Sequence, residues 1–194
     1  MKIIWKRGKI VLLAGFVFVI LLMNLIGCAV MSNYESAYPK TDVGVCEIKK
    51  IPKSVMLRAS EDGSYNDKAN SLFRKLFNYI KKNNIPMTVP VESGIEKAEM
   101  FFYVSENKKG SELHGTETIN VIRIPDRIVA SIGSRGSYSK KNIEKQRNKL
   151  AAWLVENIEY EADGEAYAVY WNSPFTIWFV RRFEVHIPVK EKNK

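Results

Sequence analysis

The chain has 194 residues, of which 46% are apolar and 26% charged, so it is long enough for one domain with an ordinary buried core. Its formal net charge is +9, but residues 1–27 carry four basic residues and no acid, which leaves +5 for the remainder. The other lysines are interspersed with glutamates, and no dense basic stripe with interleaved aromatic residues appears. This pattern argues against a nucleic-acid partner.

The N-terminus has the composition of a targeting segment. Residues 1–9 are basic, residues 10–23 are apolar almost without interruption, and Leu25-Ile26-Gly27-Cys28 follows. A charged stretch, an apolar stretch and a small-residue site predict a secretory signal. Leu25, Gly27 and Cys28 also resemble the bacterial lipoprotein signal, and this resemblance implies cleavage before Cys28 and its acylation.

An uncleaved transmembrane helix is the alternative, because residues 11–30 are just long enough to cross a bilayer. Under either interpretation the body faces outward from a cell-envelope membrane, and residues 28–42 read as a tether. If Cys28 is acylated, Cys46 has no cysteine partner, and we expect it to be buried or half-buried on a strand.

Two halves of the body resemble each other at an offset of 73 residues. Residues 51–85 and 124–158 share nine identities in 35 aligned positions, where average composition gives about two. The identities include Gly63-Ser64-Tyr65 over Gly136-Ser137-Tyr138. The repeat predicts two similar halves, at about 43–106 and 117–190.

Each half is predicted to form a β-β-α-β-β unit of an α+β domain. Apolar stripes predict helices at about 66–83, with Asn66 as the cap, and at about 139–160, opened by Ser139. The stripes are Leu72, Phe73, Leu76, Phe77 and Ile80 in the first helix, and Ile143, Leu150, Ala151, Leu154 and Ile158 in the second. Residues 99–104 are apolar on both faces, which predicts a central or pocket-lining strand. Residues 182–189 alternate, which predicts a half-buried strand with Glu184 and His186 on its polar side.

Three stretches of the body stand out by their order and spacing: Phe73-x-x-Leu76-x-x-Tyr79-Ile80 on the first helix, residues 84–91 (NIPMTVPV), and residues 170–185 (YWNSPFTIWFVRRFEV). As a set they resemble the SOUL haem-binding protein family. Together they extend over about 43–190. The resemblance implies a duplicated, distorted antiparallel β-barrel with two helices, similar to regulatory effector-binding domains.

The resemblance also implies a non-catalytic protein that binds haem or a related tetrapyrrole, largely through an apolar surface. Phe73, Phe77 and Met87 are candidates to line a groove beside the first helix, although core packing is the alternative for each. Arg181 and Arg182 are candidates to pair with propionates, with a charged strand flank as the alternative. No metal ligand is assigned; His114 is a candidate, with a solvated loop residue as the alternative, whereas His186 is expected to be solvated.

Other functions and surfaces remain open at this level. The domain can instead bind another amphipathic small molecule, or act as a hydrolase through a Glu and a Tyr, although no metal-ligand spacing, phosphate loop or nucleophile elbow is present. Glu92, Glu96 and Glu99 are expected to be solvated. The apolar residues 174–180 are expected to fold back onto the domain, with contact to a lipid interface as the alternative. We expect a monomer.

Overall fold

The computed structural model describes residues 34–105, 108 and 113–192. Residues from Glu35 onward belong to one unit of the chain. The predicted signal or anchor at 1–27 and the predicted lipidation site Cys28 lie outside the described residues. None of the described helices is long and apolar enough to cross a membrane.

Eleven strands and two α-helices occur in the described part of the chain. The strands are β1 (Glu35–Ser36), β2 (Cys46–Ile51), β3 (Ser54–Ser60), β4 (Thr88–Val89), β5 (Val91–Gly94), β6 (Glu99–Tyr103), β7 (Asn120–Ile124), β8 (Arg127–Arg135), β9 (Tyr160–Ala162), β10 (Tyr167–Tyr170) and β11 (Arg182–Glu191). The helices are α1 (Tyr65–Lys82) and α2 (Lys140–Val155), and a short 3-10 helix covers Trp178–Val180.

The sheet confirms the predicted duplication. Its strand order is β2-β8-β11-β10-β5-β6-β3-β7, with β9 paired to β11, and all of these pairings are antiparallel. The unit β2-β3-α1-β5-β6 corresponds to β7-β8-α2-β10-β11. If each strand is replaced by its counterpart in the other half, the same strand order results, read from the opposite edge of the sheet. The two halves are therefore related by a pseudo-twofold axis between β5 and β10.

The repeated Gly-Ser-Tyr forms the turn that enters each helix. Gly63 and Gly136 have φ values of 109° and 131°, which glycine adopts at little cost. The Ser139 hydroxyl accepts a hydrogen bond from the amide of Asn142 at 3.3 Å, which confirms the predicted cap of α2. The predicted cap of α1 was wrong, because Ser64 rather than Asn66 holds that position, without a side-chain capping bond.

Helix α2 is shorter than predicted. It ends at Val155, because the side-chain oxygen of Asn157 accepts hydrogen bonds from the amides of Glu159 and Tyr160 and turns the chain into β9. Ile158 therefore lies beyond the helix and is exposed, and Ala151 is exposed as well, so both were wrongly assigned to the buried stripe.

Both helices pack on the same face of the sheet, and alternation along the strands gives that face its apolar core. Central members of this core are Leu57, Leu72, Leu76, Ile80, Phe102, Ile132, Leu150, Leu154, Phe183 and Val185. Strand β6 lies between β5 and β3, as predicted for a central strand. Cys46 begins β2 and is half-buried, also as predicted.

The opposite face of the sheet, which we call the polar face, carries Glu92, Arg127, Glu184 and His186. Residues 35–42, predicted as tether, belong to this domain instead. Strand β1 pairs with β4, and Tyr38 and Thr41 are buried. The chain passes so close to β8 that a Cβ on Gly133 would clash with the carbonyl oxygen of Asp42. The domain thus begins at Glu35 rather than at 43.

The loop between β10 and β11 does not fold back onto the domain. Phe175, Ile177, Trp178, Phe179 and Val180 are all exposed, and the Phe175 side chain is 94% accessible. The expectation that this apolar segment folds back onto the domain was therefore wrong.

Candidate functional site

Helix α1 presents an aromatic pair on its surface. The rings of Phe73 and Phe77 are stacked, with centroids 5.8 Å apart and planes 13° from parallel. Phe73 also packs edge-on against Phe102 in the core, at 5.4 Å. Phe77 is 42% exposed, so the stack begins in the core and ends at solvent.

Two cations lie beside this pair. Arg74 and Lys81 are three residues before and four residues after Phe77, so they share its side of the helix. Neither has an ion-pair partner among the described residues. We call Phe73, Phe77, Arg74 and Lys81 the α1 aromatic face.

The other predicted ligand residues are distributed around the domain. Met87 packs against the same core as Phe73. The Tyr79 hydroxyl of α1 donates to the carbonyl oxygen of His114 at 2.6 Å, which holds that loop beside the helix, and His114 itself is exposed. No cluster of three metal-binding side chains occurs among the residues that the structure describes.

Arg181 and Arg182 belong to a different surface. The Arg181 guanidinium donates to the carbonyl oxygens of Pro174 and Thr176 and lies 5.3 Å from the Tyr138 ring centroid. Arg182 donates to the carbonyl oxygen of Thr41 at 3.0 Å. These contacts tie the two arginines to the β10–β11 loop and the N-terminal segment, and neither contacts the α1 aromatic face.

A cavity of about 490 Å³ begins on the polar face and extends around the end of β5. Met56, Phe101, Ile124 and Tyr167 supply apolar surface. The charged lining residues are Glu92, Glu96, Lys97, Glu99, Arg127, Arg147 and Glu165. Its size is in the range of small-molecule sites, although its lining carries more charge than most of them do.

Glu92 is buried beside this cavity, contrary to the sequence-based expectation. Its carboxylate accepts hydrogen bonds from Nη2 of Arg127 at 2.6 and 2.8 Å, from the Tyr103 hydroxyl at 2.6 Å, and from the Tyr38 hydroxyl at 3.2 Å. Burial raises the pKa of Tyr103, and the Glu92 charge raises it further. Burial by itself would lower the pKa of Arg127. The negative charge of Glu92 outweighs this effect, so the pKa of Arg127 is raised.

Glu184 is the centre of a second buried network. Its carboxylate accepts hydrogen bonds from five groups: the Thr41 amide, Lys49 Nζ, the Ser131 hydroxyl, Trp171 Nε1 and His186 Nε2. The Thr41 hydroxyl lies 3.2 Å from the same carboxylate and donates to Glu47 at 2.7 Å. Burial alone would raise the pKa of Glu184, but the His186 hydrogen bond, the Lys49 charge and the Thr41 amide bring it down to about 2. Glu184 is therefore an ionised acceptor that holds Thr41 on the sheet.

His186 joins this network to the cavity. It is fully buried, not solvated as predicted, and burial lowers its pKa even though Glu184 opposes the shift. Because Glu184 can only accept, Nε2 of the neutral imidazole donates to it at 2.7 Å. Nδ1 then accepts from the hydroxyl of the cavity residue Tyr167 at 3.0 Å. The arrangement fixes the Tyr167 hydroxyl at the cavity wall.

Sequence analysis missed Glu92, Arg127, Tyr103 and the Glu184–His186 pair as candidate site residues. Period-two alternation identifies which residues share a face of a strand, and Glu184 and His186 do share one. It does not indicate whether that face is covered. The sequence did contain a signal for this burial. Glu92 lies in Val91-Glu92-Ser93, and residues 99–104 form an apolar strand. Charged or aromatic residues in strands this apolar are expected in the covered part of a sheet rather than at its edge.

Several solved structures share this fold. The chain resembles the EcmrR–DNA complex with a TM-score of 0.63 and 14% identity, covering 76% of this chain and 58% of that one. It resembles the EcmrR C-terminal domain (TM-score 0.54, 15% identity, 76% and 98% covered). It also resembles a hydrolase from Listeria innocua (TM-score 0.52, 10% identity), with 77% of this chain and 94% of that chain covered. At these identities the likeness concerns the fold alone.

Sequence comparison gives the family. No curated protein is detectably similar to the chain. The model of the SOUL heme-binding protein, in contrast, matches residues 33–188, most of the chain, and the order of elements agrees with the fold implied by the three matching stretches. The chain therefore belongs to the SOUL family of haem-binding proteins.

Proposed function

We propose that this chain is a membrane-tethered, extracytoplasmic protein that binds haem or a related tetrapyrrole on the α1 aromatic face and is not an enzyme. The observation that carries the proposal is the exposed Phe77 ring, stacked on Phe73 and flanked by Arg74 and Lys81. A planar apolar anion stacks on an aromatic face and places its carboxylates beside cations. The Tyr79 hydroxyl holds the His114 loop against the same helix, and His114 is the candidate to supply an iron ligand.

Hemin titration of residues 29–194 tests the site. We expect a saturable Soret shift at about micromolar affinity, and Phe77→Asp should weaken binding by roughly tenfold or more, because the new carboxylate repels the propionates. The matched control is Phe175→Asp, which adds the same charge at an exposed phenylalanine of the β10–β11 loop. Circular dichroism verifies the fold of each variant. Unchanged binding by Phe77→Asp would place haem elsewhere.

The tether rests on the sequence. Residues 1–9 and 10–23 have the pattern of a secretory signal, and Cys28 follows a small-residue site. We expect mass spectrometry of the native N-terminus to find diacylglyceryl-Cys28. An intact Met1 would instead support the alternative anchor, a single transmembrane helix.

The cavity on the polar face favours a second candidate function, the binding of another amphipathic small molecule. Four carboxylates and three cations line it, so the lining favours a neutral or cationic molecule over a dianion such as haem. Ethidium, an aromatic cation, is a suitable probe. Ile124→Trp narrows the cavity and should weaken ethidium binding while hemin binding stays unchanged. Equal loss of both ligands would mean that they share one site.

The non-catalytic part of the proposal has its own support. A general base needs a carboxylate that is free to accept a substrate proton. Both oxygens of Glu92 instead face Arg127, and one also accepts from Tyr103. We expect no turnover of simple esters or lactones above the rate of an Arg127→Met, Glu92→Gln double variant. A rate that the double variant loses would support a hydrolase.

A further inference from the structure

We infer that the loop between β10 and β11 docks on an anionic lipid surface. Five apolar side chains form its tip: Phe175, Ile177, Trp178, Phe179 and Val180. All are exposed, and Trp178 is 60% accessible. A contiguous exposed apolar patch of this kind marks an interaction surface. We call these five residues the apolar tip.

The loop is an organised turn that holds its apolar side chains outward. The Thr176 amide donates to the carbonyl oxygen of Ser173 at 3.0 Å, and the Val180 amide donates to that of Ile177 at 3.1 Å. At the base, the Arg182 amide donates to the Asn172 side chain at 2.7 Å. These bonds pair part of the loop's backbone internally, which lowers the cost of placing the tip in the interface of a bilayer.

The charges around the apolar tip favour an anionic lipid surface as its partner. Residues 171–182 contain two arginines and no acid. Lys40 lies over the Trp171 ring at 5.1 Å, and the exposed Arg135 is paired with Arg182 across β8 and β11. Asp42, 4.0 Å from Arg182, is the acid in contact with this group. Tryptophan and phenylalanine surrounded by cations are typical of segments that lie in the interface of an anionic bilayer.

A second copy of the chain fits this surface less well. In a twofold dimer the same patch faces itself, so the arginines at the base of one loop would lie near those of the other. Like charges brought together in this way oppose association. A surface of anionic headgroups neutralises the same cations.

The test uses the full chain reconstituted in phosphatidylglycerol-containing vesicles whose acyl chains are brominated near the headgroups, which quenches tryptophan by contact. The parent protein is Trp5→Phe, which removes the tryptophan of the predicted anchor. Adding Trp178→Phe should lower the bromolipid quenching about twofold or more, since Trp178 is the tip tryptophan. Adding Trp153→Phe, on α2, is the matched control and should not lower it.

The lipid composition tests the role of charge. Zwitterionic vesicles or high salt should reduce the quenching of the parent. Quenching that is the same with and without Trp178 would overturn the inference. So would a dimer, found by analytical ultracentrifugation, that Phe175→Ser dissociates. Neither result depends on haem, so the docking surface and the proposed haem site are tested separately.

Discussion

Nη2 of Arg127 lies 2.6 and 2.8 Å from the two carboxylate oxygens of Glu92, and this ion pair links the first residue of β8 to the middle of β5. The two partners differ in exposure: the Glu92 side chain is buried, whereas part of Arg127 reaches solvent. The buried carboxylate therefore depends on the arginine more than the arginine depends on the carboxylate.

Replacing Arg127 should destabilise the fold strongly. Arg127→Met leaves the Glu92 charge buried without its cation, and we expect the free energy of unfolding to fall by about 3–5 kcal/mol. Urea denaturation measures the change. The matched control is Lys97→Met, which breaks the exposed ion pair with Glu165 and should cost less than about 1 kcal/mol. Similar losses in the two variants would contradict the structural role assigned to the pair.

Acid should destabilise the domain through the Glu184–His186 pair. Burial lowers the pKa of His186 below its unfolded value of about 6.5, and the partners of Glu184 hold its pKa near 2, below an unfolded value of about 4.3. In both cases the unfolded chain binds more protons, so the free energy of unfolding falls as the pH is lowered. The loss begins near pH 6.5 through His186 and continues below about 4.3 through Glu184.

His186→Gln separates the histidine contribution. Wild-type stability should fall by up to about 1.4 kcal/mol per pH unit as the pH is lowered below about 6.5, and the variant should show a shallower slope. Urea denaturation at several pH values measures it. The exposed His114 provides the control, and His114→Gln should retain the wild-type slope. A variant slope as steep as the wild-type slope would show that His186 is not the group responsible.

The scaffold was predictable from sequence because its determinants are local. The Gly-Ser-Tyr turns need positive φ at Gly63 and Gly136, and the stripe containing Leu72, Leu76 and Ile80 recurs at helical spacing. The polar face was not predictable, because its burial depends on a segment distant in sequence. Thr41 covers Glu184 from 143 residues away, and the chain around it has the composition of a tether.

The α1 aromatic face and the cavity were also not predictable from local sequence. Phe77 carries a helical signal that predicts a buried side chain, yet the structure leaves it at solvent, because the stripe is wider than the face that the sheet can cover. The cavity combines residues of β3, β5, β6, β7, β8, β10, β11 and α2, which no single window of sequence contains. Long-range pairing across the pseudo-twofold axis brings these strands together.

The N-caps of the two helices should differ in strength. Ser139→Ala removes a hydroxyl that accepts from the Asn142 amide and should lower the free energy of unfolding by about 1 kcal/mol. Ser64→Ala is the matched control, because Ser64 holds the same position in α1 without a side-chain capping bond, and it should cost less. Thermal or urea denaturation compares them. A larger loss for Ser64→Ala would contradict the assignment of the cap to Ser139.

The cations of the α1 aromatic face should set the salt dependence of hemin binding. Each of Arg74→Ala and Lys81→Ala removes an exposed charge from the side of α1 that carries Phe77, and we expect affinity to fall up to about fivefold per substitution. Exposed ion pairs are screened within about 10 Å at 0.1 M salt, so the affinity of the wild type should decrease with added salt and that of the double variant much less. Hemin titrations at two salt concentrations measure both effects.

Lys53→Ala removes the same charge in the turn between β2 and β3 and is the control for net charge alone. Its hemin affinity should match that of the wild type at both salt concentrations. If Lys53→Ala weakens binding as much as Arg74→Ala does, the attraction comes from the overall positive charge of the protein rather than from the α1 aromatic face. Haem would then be bound without the paired propionate contacts that Arg74 and Lys81 are expected to make.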